Sequence, residues 1–452
     1  MSDWFLSVDG RSSGPHPGTH VAQWLRTGQV PPTALLWPAD GPPDGSWLTV
    51  EAAWPHLTPP APTPAAGTAP AGTAGPGARR AGHGVAADGH LGSVRNPMQV
   101  LADFAGVDRL EGFRPGELLS ATFSRKSREE IELHFATGLP GTTPEVHAIE
   151  RGWPKPWMFV RLLGASSLLF VSFVVLIKVF DGGNLLPGLI GIGSFAVPLS
   201  VLVFFFEVNT PRNVSLYLVI HCLLVGGLIS LALTLLLEQT VGHLGRVGLF
   251  VDPVLIGVAE EVAKLLAVFL ITVRLPAARY PWILNGVLFG AAVGAGFACF
   301  ESAGYAFFSL FEQDPADPGA VGPNLAASIH TIVLRGALAP FGHVVWTALA
   351  AGALWRVKLA SGLTMRMLLS ERVLRMLLVV VVLHAVWDFE WTSRLPFYLG
   401  QLALGLLAWV LAFGMLQNGL KQIKAAQAAS PLGYLKVSGA TQVLRTVGRI
   451  GP

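Results

Sequence analysis

Charge is scarce in this sequence. Asp, Glu, Lys and Arg together supply 13% of 452 residues against 52% hydrophobic, and the mean hydropathy is +0.54. A chain so poor in charge cannot cover a string of soluble domains of that length, so a polytopic membrane protein is expected. Cysteine is nearly absent: Cys222 and Cys299, both in apolar segments, exclude a disulfide scaffold or a zinc ribbon. The net charge of +3 is too small to argue for nucleic acid. Met1 to Pro60 has neither the basic start nor the apolar core of a signal peptide, and the N-terminus is expected to stay in the cytosol.

What is present begins with a compact segment. Trp4-Phe5-Leu6-Ser7-Val8 alternates as a strand, Asp9-Gly10 predicts a turn, and Val21 to Arg26 predicts a helix. Trp4, Trp24, Trp37 and Trp47 crowd this short piece. They either form its core or partly line a groove for proline-rich peptides. The order Trp4-Phe5, Gly10, Gly14-Pro15, Gly28-Gln29-Val30-Pro31-Pro32, Trp37 and Trp47 resembles the bacterial GYF-like domain, a small αβ module, over residues 1–57. Phe5 stands where that family commonly has tyrosine. The resemblance implies a peptide site at Trp4, Phe5, Trp24 and Trp37, with core packing as the alternative.

Residues 58–95 are Pro, Ala, Gly and Thr with almost no large apolar side chains, a composition that predicts a disordered linker. Its start, Pro59-Pro60-Ala61-Pro62-Thr63-Pro64, favours polyproline II and is either an internal ligand for the neighbouring domain or a plain spacer. Residues 96–156 form a cytosolic juxtamembrane region, in which Arg125-Lys126-Ser127-Arg128-Glu129-Glu130 predicts a solvated helix face.

Beyond Trp157 come apolar runs of membrane-spanning length. Eight all-α spans are expected, at about 160–180, 185–206, 214–238, 250–273, 282–310, 328–355, 373–391 and 396–418. Loop charges sort by side: Arg212, Arg274, Arg279, Arg356, Lys358, Arg366, Arg372, Lys421 and Lys424 inward; Asp181, Glu312, Asp314 and Asp317 outward; Arg246 and Arg394 as exceptions. The positive-inside rule then puts both termini in the cytosol, with 157–420 in the bilayer and 421–452 as a basic tail. Trp153, Trp157, Trp282, Trp355 and Trp391 fall near span ends, where indole rings favour the interface. Glu207 to Arg212 reads first as a loop cap and second as a substrate contact.

Inside the later spans lie groups that the bilayer penalises. Glu260-Glu261-Val-Ala-Lys264 puts three ionisable side chains in one apolar run, each costing roughly 2.5–3.5 kcal/mol at the bilayer centre. Charges so costly must face protein, partner or water. Span five adds Phe297 and Glu301, span six His343, and span seven His384 and Asp388. Residues three and four apart share a helix face, so both glutamates can reach Lys264, and His384 lies one turn from Asp388.

Glu260-Glu261-x-x-Lys264, Phe297-x-x-x-Glu301, Gly342-His343-Val-Val-Trp346-Thr347 and His384-x-x-x-Asp388, in order on consecutive spans, resemble the PrsW family of intramembrane proteases, related to the CAAX-processing and bacteriocin-processing membrane peptidases. The resemblance covers about Trp153 to Leu420. It implies cleavage of membrane-associated proteins, in some members an anti-sigma factor. Glu260 or Glu261 would then act as general base on water, and His343 or His384 would donate to the oxyanion. Lys264 would hold the glutamate pair, Glu301 would orient the water or share the proton, and Asp388 would fix His384. Phe297 is a supporting residue.

No cofactor is expected. The same acids and histidines would suit zinc or manganese as the alternative, but the His-Glu-x-x-His spacing is missing and Lys264 can balance the charge. Expected partners are a membrane-protein substrate, the lipid bilayer and a proline-rich peptide, with no nucleic acid. A transporter using the same buried charges is a competing class, although no repeated halves are evident. A membrane sensor whose active part is the N-terminal module is another. Depth along the helices raises one difficulty, because Glu260 and His384 fall about ten residues from a span end, Glu301 about twenty into span five and His343 about sixteen into span six. Straight helices would separate them. Pro340 as a break, and Gly286, Gly290, Gly294 and Gly296 as points of close approach or bending, offer a solution.

Overall fold

A computed structural model describes residues 3–8, 11–26, 30, 34–38, 48–50, 53, 97–180, 182–242, 248, 250–313 and 322–429. The linker at 58–95, the tail after 429, Trp47, and Gly10, Gly28, Gln29, Pro31 and Pro32 of the GYF-like pattern lie outside the described residues. So do the loop charges Asp181, Arg246, Asp314 and Asp317. The chain divides into two compact units, Met1–Gly89 and His90–Pro452.

The first unit is a small αβ module. Strands β1 (Asp3–Val8), β2 (Arg11–Pro17), β3 (Leu35–Pro38) and β4 (Leu48–Thr49) form an antiparallel sheet in the order β2-β1-β3-β4, with helix α1 (Gly18–Arg26) after β2. Strand alternation decides which side chains are buried. Trp4, Leu6 and Leu36 pack with Val21 and Ala22 of α1, whereas Phe5 pairs with Trp37 in register on the other face, where both are half-exposed. Trp4 is 2% exposed and belongs to the core, which corrects its expected place in a peptide groove. Gly14 has φ +134°, and a Cβ there would stand 2.8 Å from the Trp4 carbonyl oxygen. Only glycine fits that crossing.

The second unit is helical. After α2 (Pro97–Ala105) and α3 (Arg128–Phe135) come α4 (Met158–Phe180), α5 (Leu186–Val208), α6 (Leu216–His221), a π-turn at Cys222–Gly226, and α7 (Gly227–Gly242). They are followed by α8 (Val251–Thr272), α9 (Ile283–Phe308), α10 (Leu325–Leu338), α11 (His343–Val357), α12 (Glu371–Asp388) and α13 (Leu399–Ala429). Among the described residues, six stretches are long and apolar enough to cross a membrane: 158–180, 183–208, 216–240, 283–311, 325–357 and 396–428. The protein is therefore an integral, multi-pass membrane protein. Helices α8 and α12, which match the expected spans four and seven, are long but carry several charges each.

Burial separates core from periphery. In α9, 94% of the most apolar stretch is enclosed, against 6% in α4. Glycine is why α9 can sit in the middle: a Cβ on Gly290 would lie 2.3 Å from the Thr347 carbonyl oxygen, and one on Gly296 would overlap the backbone of Leu223. The glycines thus serve close approach on two sides of the helix. Trp282 and Trp355 are buried, and Trp355 donates to the Tyr280 carbonyl at 2.9 Å. Those two expected interface rings are instead core residues, because packing against α9 offers them more contact than a headgroup layer.

The juxtamembrane region docks on this bundle. The Asp108 N–H donates to Asn418 Oδ1 at 2.8 Å, and Gln427 Nε2 donates to the Val146 carbonyl at 2.7 Å. Helix α13 runs nine residues past the expected domain boundary at 420, since its far end is held by such contacts. Glu207 is a cap, as its position suggested: its carboxylate accepts from the N–H groups of Trp157, Met158 and Phe159 at the start of α4. The mixed-charge run begins α3 with a Ser127–Glu130 capping box and an exposed Arg128–Glu132 pair.

Candidate active site

Four helices of the bundle bring the widely spaced polar residues together. Gly294 of α9 lies against His343 at the start of α11, and Gly257 of α8 lies near Val381 and Ala385 of α12. These approaches converge on one cluster. Lys264 is fully enclosed, with Nζ 2.7 Å from Glu261 Oε1, 3.1 Å from Glu260 Oε2 and 2.8 Å from His343 Nδ1. An ammonium has three N–H donors, and all three are used. The Phe297 ring lies beneath it, centroid 4.4 Å from Nζ.

The adjacent glutamates face different surroundings. Glu261 is 1% exposed, and its Oε1 also accepts from His384 Nδ1 at 2.8 Å. Glu260 is 7% exposed and lines a cavity of about 810 Å³ together with Glu301, His343, His384 and Asp388. His384 Nε2 lies 3.3 Å from Asp388 and 3.7 Å from Glu260. His343 Nε2 lies 3.1 Å from Glu301 Oε2, and the two histidine rings are 5.3 Å apart. All of Glu260, Glu261, Lys264, Phe297, Glu301, His343, His384 and Asp388 thus meet in one place.

The depth difficulty resolves through a broken helix. Pro340 sits in a 3-10 turn, Ala339–Phe341, and Gly342 leaves helical geometry at φ −116°, ψ −130°. His343 is consequently the first residue of α11 rather than the middle of a straight span, and it can lie beside Glu301. His384 departs from its expected mid-helix depth, being four residues before Asp388, the last of α12. The apolar run continues past Asp388 into Phe389 and Trp391, which hid the true helix end.

Two residues of the site were not expected. Arg335 of α10 forms an ion pair with Glu301, donates from Nε to Ser302 Oγ at 3.0 Å, and lies 4.4 Å over the Tyr305 ring. Glu238 of α7 also lines the cavity. The available signal was plain: each is a charge inside a run otherwise fit to cross a membrane.

Donor chemistry bears on metal binding. Ligand atoms of Glu260, Glu261, His343 and His384 lie within 4.8 Å of one another, two carboxylates and two imidazoles being suitable for zinc. Glu261 Oε2 is buried without a hydrogen-bond partner, which favours an ion. Yet the Lys264 ammonium contacts three of those four side chains and fills the place a cation would take. The Lys264 ammonium and a metal ion would thus compete for the same side chains.

The fold and cluster define a multi-pass membrane protein with a charged site lining a cavity of about 810 Å³. A family model described as PrsW family intramembrane metalloprotease matches residues 214–416, the stretch that holds every residue of the cluster. This match supports a PrsW family intramembrane protease, and with it a membrane peptidase. No curated protein and no solved structure matches the chain.

Proposed function

We propose that the protein hydrolyses peptide bonds of membrane-associated proteins with a water activated by Glu260. The carrying observation is that Glu260 reaches both the cavity and Lys264, whereas its neighbour Glu261 is enclosed behind it. Glu260 takes a proton from water as the oxygen attacks the scissile carbonyl, and gives it to the amide nitrogen as the tetrahedral intermediate collapses, the C–N bond breaks and the amine leaves. His384, lining the cavity beside Glu260 and Asp388, donates to the developing oxyanion. Glu261 and Lys264 hold this pair in position, Glu301 fixes the His343 ring, and no serine or cysteine nucleophile is needed. The family description names a metalloprotease; because Lys264 fills the cation position, no step here runs through a metal.

The surrounding organisation follows the same reading. Eight spans, counting α8 and α12, leave both termini in the cytosol of a bacterial cell, and regulators of the anti-sigma-factor kind are the substrate class. The N-terminal module acts as a GYF-like peptide binder through Phe5, Trp24 and Trp37, with the proline-rich start of the linker among its ligands. The test is co-expression with a panel of single-span proteins, comparing the parent with Glu260→Gln and His384→Ala. Cleavage by the parent alone is expected. Equal cleavage by all three would overturn the assignment, and substrate uptake surviving in the cleavage-dead variants would favour a transporter.

A further inference from the structure

Arg335 occupies a costly position. It is the one Lys, Arg, Asp or Glu in α10, a half-helix of 14 residues whose only fully buried side chains are Ser328 and Ile332. An arginine at bilayer depth is costly unless it is paired. Its partners all come from one stretch of α9: Glu301, Ser302 and Tyr305.

The same carboxylate oxygen, Oε2 of Glu301, serves Arg335 on one side and His343 Nε2 on the other. That sharing matters because of where His343 stands. As the first residue of α11, it is separated by the break at Gly342 from the 3-10 turn Ala339–Phe341. Its ring is held by side chains: Lys264 at Nδ1, Glu301 at Nε2, and the rings of Phe297, Trp346 and His384 around it. The planar guanidinium reaches Glu301 with one nitrogen and Ser302 with another at fixed spacing, a fork that a lysine ammonium does not reproduce.

We propose that Arg335 is a positioning residue for the hydrolysis, acting through Glu301 to hold the His343 ring and, through Lys264, the base Glu260. This rests on the peptidase reading of the site. The alternative is that Arg335 only staples α10 to α9, as Ser328 does through the Ala306 carbonyl. A staple would influence stability without a link to His343.

The experiment uses the full chain in membranes, with Arg335→Gln, Arg335→Lys, Glu301→Gln and the double variant Arg335→Gln/Glu301→Gln. On a cleaved single-span substrate, Arg335→Gln is expected to lower kcat roughly 10- to 100-fold with KM nearly unchanged, the scale that misplacing a reacting group by about 1 Å can cost. Arg335→Lys should recover little of it. The double variant should be no slower than Glu301→Gln alone, because both remove one connection. Full kcat in Arg335→Gln, or multiplied losses in the double variant, overturns the inference. Labelling of His343 by diethyl pyrocarbonate, followed by mass spectrometry, reads ring release without any substrate. Increased labelling in both Arg335→Gln and Glu301→Gln is expected, and unchanged labelling overturns the inference even if the parent cleaves nothing. Absence of cleavage by the parent, with labelling increased, instead overturns the peptidase reading alone.

Discussion

Lys264 Nζ lies 2.8 Å from His343 Nδ1, and this contact fixes the imidazole. An ammonium can only donate, so Nδ1 accepts and the ring proton resides on Nε2, where it faces Glu301. Lys264 therefore connects the carboxylate pair of α8 to the histidine of α11. One side chain sets the charge balance of the pair and the tautomer of its neighbour.

Removing that cation should be severe. Lys264→Met removes the ammonium that both Glu260 and Glu261 contact, and breaking a buried pair from one side costs about 3–5 kcal/mol. A large fall in thermal unfolding midpoint and in folded yield from detergent is expected. Unchanged stability would mean that the carboxylates find another partner.

The two glutamates should separate by readout. Glu260→Gln is expected to reduce cleavage by roughly 10²–10⁴-fold, the scale of general-base catalysis, with an unfolding midpoint near the parent's because the side chain faces the cavity. Glu261→Gln weakens enclosed hydrogen bonds to Lys264 and His384, so stability should drop by about 1–3 kcal/mol. Measuring both quantities for both variants tests the assignment. A stable, inactive Glu261→Gln beside an active Glu260→Gln would exchange their roles.

Much of this site was legible because charge inside an apolar run is a strong signal. Spans four and five were expected at 250–273 and 282–310, and helices run from Val251 to Thr272 and from Ile283 to Phe308. Pro340 announced the break that brings His343 to Glu301. Arg335 carried the same kind of signal as Glu260, but its partner depends on how α10 aligns with α9. That alignment is set by contacts such as Ser309–Thr331, which no spacing within either helix reveals. In the N-terminal module the period of two already places Trp4 with Leu6 and opposite Phe5. Which of those faces is covered depends on α1, and hence on tertiary packing.

Chelation tests the role given to Lys264. With its ammonium in the cation position, cleavage in detergent should survive prolonged treatment with a strong chelator, assayed against an untreated control. Loss of activity that returns on adding zinc would show that Lys264 moves aside for a metal. In that case Lys264→Met should raise zinc affinity.

Acid should loosen the juxtamembrane region. His134 of α3 packs on Trp157 and Phe206, with Glu207 at 3.6 Å; burial, with Arg212 and Lys126 nearby, pushes its pKa from 6.5 down to about 4. The unfolded segment then binds a proton more readily than the docked one. Its stabilising contribution is complete above about pH 6.5 and declines as the pH falls towards about 4. Limited proteolysis within 97–156 should accelerate over that window. His134→Phe should reduce the acceleration, and an unaltered profile would assign the pH response elsewhere.

Glycine substitutions test whether close approach of α9 and α11 builds the site. A Cβ on Gly294 would stand 2.4 Å from the His343 carbonyl oxygen and 2.9 Å from Thr347 Cβ, whereas one on Gly304, further along α9, meets nothing within 4 Å. Gly294→Ala must therefore push His343 away from Glu301 and Lys264, at a cost of about 1–3 kcal/mol for overpacking. Gly304→Ala gains helix propensity in open space, worth up to about 1 kcal/mol. Thermal midpoints should move in opposite directions, and cleavage should fall only in the first variant. If both alanines behave alike, the spacing between the two helices does not set the geometry of His343.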